Sequence, residues 1–392
     1  MQSARQRVIL DPSLLDDEKL PESDRLAVLE QVFHRGIRLK QLQELARYIA
    51  PVLGNALPPH LLIYGPSGTG KSVTSLHFMA NLRELCTGKG MAFGFYYVDL
   101  TSPQTRFGAL NAVAMALDAR IRRYRKGIPV ACMEDMIIRR LNALEGVVCL
   151  VLDEADNITQ DSDPFWTFLA KTLPRKVRVR LFYVLLTNRA EWEKNLDPRV
   201  LSVMKKTDLV FEPYSAEDLL TILRLRVKKA LDPKKVDDAA MRKIAAYASR
   251  ETGDARKAVE LLGKAAKVAE EGSGRLSVRE VDQAERHLEV EKTEEFIQAL
   301  PPQQLLALQA CYFALSKEKR RLSTGCAYDY YERLCARNGA VALTQRRFGD
   351  MVSFLDIYGL IRARVVSKGR YGKTREISAS LAPQLTERVL AK

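Results

Sequence analysis

Gly65-Pro66-Ser67-Gly68-Thr69-Gly70-Lys71-Ser72 matches G-x-x-x-x-G-K-[ST], the phosphate-binding P-loop. The apolar run His60–Tyr64 before it predicts a short buried strand. Ser72 to Leu85 after it predicts an amphipathic helix with Val73, Leu76, Met79 and Leu82 along one side. Strand, glycine loop and helix together aim successive backbone N–H groups and the positive helix end at one anion. The three glycines let the backbone come close where a Cβ would clash. Lys71 is then placed for the β- and γ-phosphates and the Ser72 hydroxyl for Mg²⁺. The loop reads as the site of a nucleoside triphosphate.

The metal needs an acid, and such acids sit at the end of a neighbouring strand. Val147–Leu152 (VVCLVL) is an unbroken apolar run followed at once by Asp153-Glu154-Ala155-Asp156. Such a run suits the middle of a parallel sheet covered on both faces. Asp153 is expected to hold Mg²⁺ through water, and Glu154 to orient and deprotonate the attacking water, as phosphoryl transfer requires. A third strand, Arg180–Leu186, ends at Thr187-Asn188. Taken alone, Asn188 reads equally as a turn residue or as an amide that polarises the water.

Bulk properties bound the rest. A chain of 392 residues, 47% hydrophobic and 28% charged, predicts two or three globular domains. No apolar run approaches the ~20 residues that span a bilayer. Met1–Arg7 leads into an acidic stretch, which predicts no signal peptide. The six cysteines lack C-x-x-C spacing and the four histidines offer no paired zinc ligands, which predicts reduced thiols and a cytosolic protein. The net charge is +14, pointing to a polyanionic partner. From Glu295 to Lys392, 16 Lys/Arg stand against 8 Asp/Glu, so this quarter of the chain holds more than half of the excess.

The order along the chain is α/β, then all-helical, then mixed. Residues 1–20 are expected as a polar, poorly ordered lead, 21–212 as the nucleotide-binding sheet domain, 213–293 as a helical lid and 294–392 as a winged helix. Ser215-Ala-Glu-Asp218 is a capping box for a helix to about Leu231. Further helices are expected over 237–250, 254–271 and 277–292, then over 302–318 and 323–337. Thr344 caps another, with Phe348, Met351, Val352 and Leu355 as its apolar stripe. Gln345, Arg346 and Arg347, with Asp350 and Ser353, lie off that stripe, where a recognition helix shows side chains to the major groove. Leu360 to Val366 and Thr374 to Ser378 predict two strands. The turn between them carries Lys368, Arg370, Tyr371 and Lys373, the tip of a wing at the minor groove. The other reading of this domain is a protein-docking module.

The P-loop, the Asp-Glu-x-Asp motif and the Asn-tipped strand resemble an AAA+ ATPase. Leu196-Asp-Pro-Arg199, Phe211-Glu-Pro-Tyr214-Ser-Ala-Glu-Asp-Leu-Leu and Gly253-Asp-Ala-Arg256-Lys-Ala-Val-Glu-Leu-Leu are similar to the archaeal origin-recognition/Cdc-type replication initiator family. The resemblance runs from about Pro21 to the C-terminus. It implies an AAA+ P-loop parallel sheet domain, a helical lid and a C-terminal winged-helix domain. It places Asn188 at the sensor 1 position, Arg199 at the arginine-finger position, Arg256 at sensor 2 and Tyr214 among the nucleotide-binding residues. Asp254 is placed to cap the helix that carries Arg256. For Arg199, a neighbour's active site and a contact within its own domain both stay open. In the family an Arg-Glu pair follows a Leu-Pro; here Leu20-Pro21 lies well before His34-Arg35-Gly36, and Gly36 stands in the place of the Glu. Arg189 beside Asn188 adds a positive charge to the sensor loop.

A second basic cluster, Arg120 to Lys126 with Arg122 and Arg123, falls where the family carries an extra helical element, Gln104 to Lys126, that approaches DNA. A solvated helix end is the plainer reading. Three functions follow from the resemblance. The first is an initiator on double-stranded origin DNA, cytoplasmic and nucleoid-associated, with the replicative helicase and other initiator paralogues as partners. The second is a signalling-type regulatory ATPase using its winged helix for protein contact. The third is a motor-like remodeller. A single module with a basic winged helix favours the first, with slow hydrolysis as a switch.

Overall fold

β3 (Val147–Asp153) is buried at every position and is an interior strand of the sheet around which the first unit is built. The computed structural model describes residues 8–9, 33, 35–121, 128–159, 162–189, 191–203, 206–317, 322–367 and 373–391. The chain divides into two compact units, 1–282 and 283–392. Among the described residues no helix is long and apolar enough to cross a membrane.

In the first unit β1 (His60–Tyr64), β2 (Phe93–Asp99), β3, β4 (Arg180–Thr187) and β5 (Lys206–Val210) form a parallel sheet in the order β2-β3-β4-β1-β5. Strand alternation splits the apolar runs between two cores. Val147, Cys149 and Val151 join Leu61, Ile63, Phe182, Val184 and Leu186 on one face. Val148, Leu150 and Leu152 join Leu62, Tyr183 and Leu185 on the other. The uninterrupted apolar reading of β3 and β4 therefore gives a sheet covered on both sides. β2 and β5, which the sequence pattern did not single out, are the edge strands, each with a neighbour on one side in the sheet order, and their polarity is mixed (FGFYYVD, KTDLV).

The helix after the P-loop, Lys71–Gly88, is rotated from its expected face. Ser75, Met79, Leu82 and Cys86 are its buried stripe, with Thr74 beside them, while Val73 and Leu76 are half-buried. The small hydroxyl residues occupy the start of the helix, where apolarity alone pointed to Val73 and Leu76. Between β2 and β3 the helices Arg106–Leu117 and Val130–Asn142 pack on each other; of the expected element 104–126, residues 106–117 are helical, 118–121 are not, and 122–126 lie outside the described residues.

The lid holds the helices Ala216–Ala230, Asp238–Glu251 and Ala255–Glu271. Its capping box forms as read: Ser215 Oγ accepts from Asp218 N and the Asp218 carboxylate accepts from Ser215 N, both at 3.1 Å. Of the expected lead, 1–20, the described residues are 8 and 9. Val8 and Ile9 are buried, and their amides both donate to Glu270 Oε1, at 2.9 and 2.8 Å. Asp232 N donates to Val8 O at 2.9 Å, so this short stretch ties the helix Ala255–Glu271 to the turn that follows Ala216–Ala230. The two apolar side chains inside a polar context are the signal that average polarity concealed.

The second unit contains the helices Pro302–Lys317, Thr324–Arg337, Gln345–Ile357 and Pro383–Ala391. With them are β6 (Leu322–Ser323), β7 (Ile361–Ser367) and β8 (Lys373–Ala379), antiparallel in the order β6-β8-β7. Phe348, Met351, Val352 and Leu355 are all buried, and Tyr331 packs on Phe348 with ring centroids 5.0 Å apart. Tyr312 fastens the sheet to the helices, donating to Leu360 O at 2.8 Å and accepting from Leu381 N at 2.9 Å.

His60 opens β1 and makes the fold sensitive to acid. Its Nδ1 accepts from the Tyr183 amide at 3.1 Å, which requires that nitrogen to be unprotonated. Burial lowers its pKa to about 4. As pH falls, the unfolded chain therefore takes up the proton first. Stability is full above about pH 6.5 and should fall progressively toward pH 4, by up to about 3 kcal/mol from this group alone. Urea unfolding at pH 7.5 and pH 5 should show this loss, and a His60→Gln variant should lose less. Equal losses in both proteins would contradict the assignment.

Candidate functional site

The C-terminal ends of β1, β3 and β4 lie side by side and bring the P-loop, Asp153-Glu154 and Asn188 together. Gly68 (φ +68°) and Gly70 (φ +84°) take left-handed backbone that side chains disfavour. A Cβ on Gly68 would collide with the Asp254 carboxylate, and one on Gly70 with the Tyr214 hydroxyl. Thr69 Oγ1 donates to Pro66 O at 2.8 Å and closes the loop on itself. The helix Lys71–Gly88 starts directly from it, with Ser72 half-buried in the first turn.

Lys71 is buried, and its Nζ donates to Gly65 O (2.8 Å), Pro66 O (2.9 Å) and Asn188 Oδ1 (2.8 Å). Burial pulls its pKa below the ordinary lysine range, opposed by Glu154 and Asp153. The Asn188 amide nitrogen donates to Glu154 Oε2 at 2.6 Å. One amide thus joins the phosphate cation to the proposed base, so Asn188 is no simple turn residue. Glu154 stands at φ 55°, ψ 44°, a strained conformation for a side-chain-bearing residue at the mouth of the site.

Asp153 is held from two sides. Its Oδ1 accepts from Glu154 N at 2.9 Å and its Oδ2 from Tyr97 OH at 2.7 Å. Asp156 is buried behind them, accepting from Thr187 Oγ1 at 2.8 Å and pairing with Arg189 Nε at 3.4 Å. The extra charge of Arg189 is therefore engaged by the last acid of the Asp-Glu-x-Asp motif. Trp192 is buried with its ring edge-on to Trp166, centroids 5.0 Å apart.

The lid closes over the loop. Ala255 N donates to Gly68 O at 3.2 Å, and Tyr214 N donates to Gly253 O at 3.1 Å. Asp254 caps the helix Ala255–Glu271 by accepting from Arg256 N at 2.7 Å. Arg256 Nη1 reaches Ser67 Oγ at 3.5 Å, so the sensor 2 candidate faces the P-loop. Arg199 stands apart from this group. It is exposed on the helix Pro198–Val203, its amide capped by Asp197 Oδ1 at 2.7 Å.

A positive-ended helix start, glycines that clear a path for the backbone, a buried ammonium and a hydroxyl at the next position form a cradle for a polyphosphate. Ser72 and Asp153 are oxygen donors of the kind Mg²⁺ takes. The residues present fit both groups.

In the second unit Thr344 caps the third helix, accepting from Arg347 N at 3.5 Å. Gln345, Arg346, Arg347 and Asp350 are exposed, opposite the buried stripe. Ser353 is not free for a groove: it donates to Gly349 O at 2.9 Å and is bonded by Arg375, which also donates to Gly349 O at 2.9 Å. Arg375 thus fastens β8 to the helix instead of facing outward. Lys373 is the first residue of β8, while Lys368, Arg370 and Tyr371 lie outside the described residues, as do Arg122 and Arg123. Arg120 is exposed and forked onto Asp118, Nε to Oδ1 and Nη2 to Oδ2, both at 3.1 Å.

Comparison with known proteins places this architecture. Residues 57–193 match an AAA domain family, 220–286 the Cdc6 AAA+ ATPase-type lid domain and 295–389 the CDC6 C-terminal winged helix domain. The chain is 33% identical over 350 residues to ORC1-type DNA replication protein 1 of Sulfolobus acidocaldarius, covering 89% of this chain and 87% of that protein. The chain belongs to the ORC1-type DNA replication proteins. The Thermococcus onnurineus relative is also 33% identical, with 88% and 84% covered. A solved structure of the Aeropyrum pernix ORC1 protein in complex with DNA superposes with a TM-score of 0.70 at 29% identity, over 99% of this chain and 97% of that one. The AAA+ parallel sheet, helical lid and C-terminal winged helix are those of the ORC1-type fold.

Three residues of the ORC1-type site escaped the sequence reading. Tyr97 lies on an edge strand that was not foreseen, and only the β2–β3 register, with Tyr97 opposite Val151, brings it to Asp153. Asp156 looked like the last letter of a motif and is a structural bridge to β4. Arg38 reaches the P-loop from the lead-in segment, whereas Arg35 three residues earlier is exposed.

The relay from Lys71 to Glu154 predicts that binding and hydrolysis separate. Lys71→Ala should weaken ATP binding by about 10- to 100-fold, since a charged hydrogen-bonding group is lost. Glu154→Gln should leave ATP affinity within a few-fold and lower single-turnover hydrolysis by about 10²–10⁴-fold. Calorimetry and quench-flow measure the two separately. ATP binding by Lys71→Ala at the native affinity would overturn the site.

Proposed function

We propose that this chain is an ATP-dependent origin-recognition DNA-binding protein that initiates chromosomal replication. It helps to load the replicative helicase and uses slow ATP hydrolysis as a switch. The observation that carries this reading is one chain holding both a complete P-loop relay and a winged helix whose third helix exposes Gln345, Arg346 and Arg347. The relatives that match most of the chain are replication proteins, so a signalling-type ATPase is not favoured.

In this reading Gly65 to Ser72 cradle the triphosphate, with Tyr214 beside the loop and Arg256 over it. When bound, Mg²⁺ on Ser72 and Asp153 neutralises phosphate charge. Glu154 receives the proton of the attacking water while Asn188 fixes its carboxylate, and Asp153 is kept oriented by Tyr97 and the Glu154 amide. Arg199 is exposed on the helix Pro198–Val203, which supports a role on a neighbouring initiator's nucleotide. An arginine supplied in this way is worth 10³–10⁵ in rate, so an isolated molecule turns over slowly. The domain limits are 21–212, 213–293 and 294–392, and the protein works in the cytoplasm on the nucleoid.

Double-stranded DNA is bound through Gln345, Arg346 and Arg347 of the third helix and through the wing, Lys368, Arg370, Tyr371 and Lys373. The Arg120–Arg123 segment supplies a second contact. Arg370→Ala with Lys373→Ala should weaken binding to every duplex and lower the salt slope by about one unit per lost phosphate contact. Arg346→Ala should cost about 1–3 kcal/mol at a preferred site and little on random duplex. Titrations of the full chain against an AT-rich inverted repeat and random DNA at two salt concentrations measure both. An affinity for duplex that does not change with salt would overturn the reading.

A further inference from the structure

We propose that Arg38 is a positioning residue of the nucleotide site, a clamp that locks the outer edge of the P-loop to the hinge leading into the lid. This rests on the reading of Gly65–Ser72 as the nucleotide site. Arg38 stands just before the helix Leu39–Ile49 with φ 61°, a left-handed conformation that residues with side chains rarely adopt. From there its guanidinium spans three elements. Nε donates to Thr69 O at 3.2 Å and Nη2 to Glu212 O at 2.6 Å. Its carbon lies 4.0 Å from the centre of the Tyr214 ring and 5.3 Å from that of Phe211.

The Tyr214 hydroxyl occupies the space that a side chain on Gly70 would need. The order from outside to inside is therefore Arg38, Tyr214, Gly70. The planar fork satisfies a loop carbonyl and a hinge carbonyl at once, while its face covers an aromatic ring, a combination that an ammonium cannot reproduce. Thr69 and Gly70 immediately precede Lys71, so a shift of this edge moves the cation and the first helical turn together. Tyr214 leads into Ser215, the cap of the first lid helix, so the same clamp sets where the lid begins. Arg38 touches no reacting atom in this arrangement. It acts through Thr69 and Tyr214, and its effect falls chiefly on how long nucleotide stays.

The test is the dissociation rate of a fluorescent ADP analogue with Mg²⁺ from the full-length chain, next to single-turnover ATP hydrolysis. Arg38→Met keeps the apolar stem and should raise the dissociation rate by about tenfold, while the hydrolysis rate of bound ATP falls threefold or less. Arg38→Lys should recover only part of the loss, and it keeps the test alive if Arg38→Met does not fold. Tyr214→Leu should act like Arg38→Met, and the double variant should add little to either, since paired groups are coupled. Dissociation rates equal to wild type in both single variants, or effects that multiply in the double variant, would overturn the clamp. Failure of the wild-type protein to bind the analogue would instead overturn the P-loop reading beneath it.

Discussion

The carboxylate of Asp254 lies where a side chain at Gly68 would have to be, and much of the first unit follows from that contact. A lid residue can approach a phosphate loop this closely only if the loop has no Cβ at that point. The same Asp254 caps the helix that carries Arg256, and the next amide, Ala255 N, donates to Gly68 O. The loop and the lid therefore share one junction. A displacement of either is felt by the other at the place where the phosphates are expected.

A second dependence runs across the sheet. Lys71 is a buried cation, costly unless it is hydrogen-bonded, and it is satisfied by two loop carbonyls and by Asn188. Because the Asn188 nitrogen is spent on Glu154, the cation and the Glu154 carboxylate are linked through one amide. The left-handed turn at Glu154 makes this possible by turning its side chain back from the end of β3. Tyr97 and Asp156 then fix the acids on either side. Strain at one residue is offset by hydrogen bonds from three strands, the usual signature of a site kept ready for chemistry.

How much of this was legible depends on how local the cause was. The P-loop, the Asp153-Glu154 pair and the caps at Ser215, Asp254 and Thr344 are short-range patterns, and each could be read from the order of residues. The buried stripe of the third winged-helix helix was equally plain, because Phe348, Met351, Val352 and Leu355 repeat with the helical period. Contacts that depend on register or on distant segments were hidden. Tyr97 sits on a mixed edge strand, Arg38 lies 31 residues from the carbonyl it reaches, and Glu270 lies more than 260 from the amides of Val8 and Ile9. Ser353 and Arg375 mislead in the opposite sense: a polar residue off the apolar stripe and a basic residue in a basic run turn toward each other.

The winged helix divides its residues by the same logic. Its aromatic and aliphatic side chains close a core of their own, and Arg375 secures the sheet to the third helix. The residues left over at the start of that helix are cationic and amide side chains suited to an acidic surface. The P-loop and the exposed cationic helix thus stand on separate cores in one chain. The claim on which the nucleotide half stands is the Gly68–Asp254 junction, and calorimetric titration of Mg-ADP into a Gly68→Ala variant tests it directly. One added methyl group should lower affinity by about two orders of magnitude or more, with helical content unchanged by circular dichroism. Binding at the wild-type affinity would contradict it.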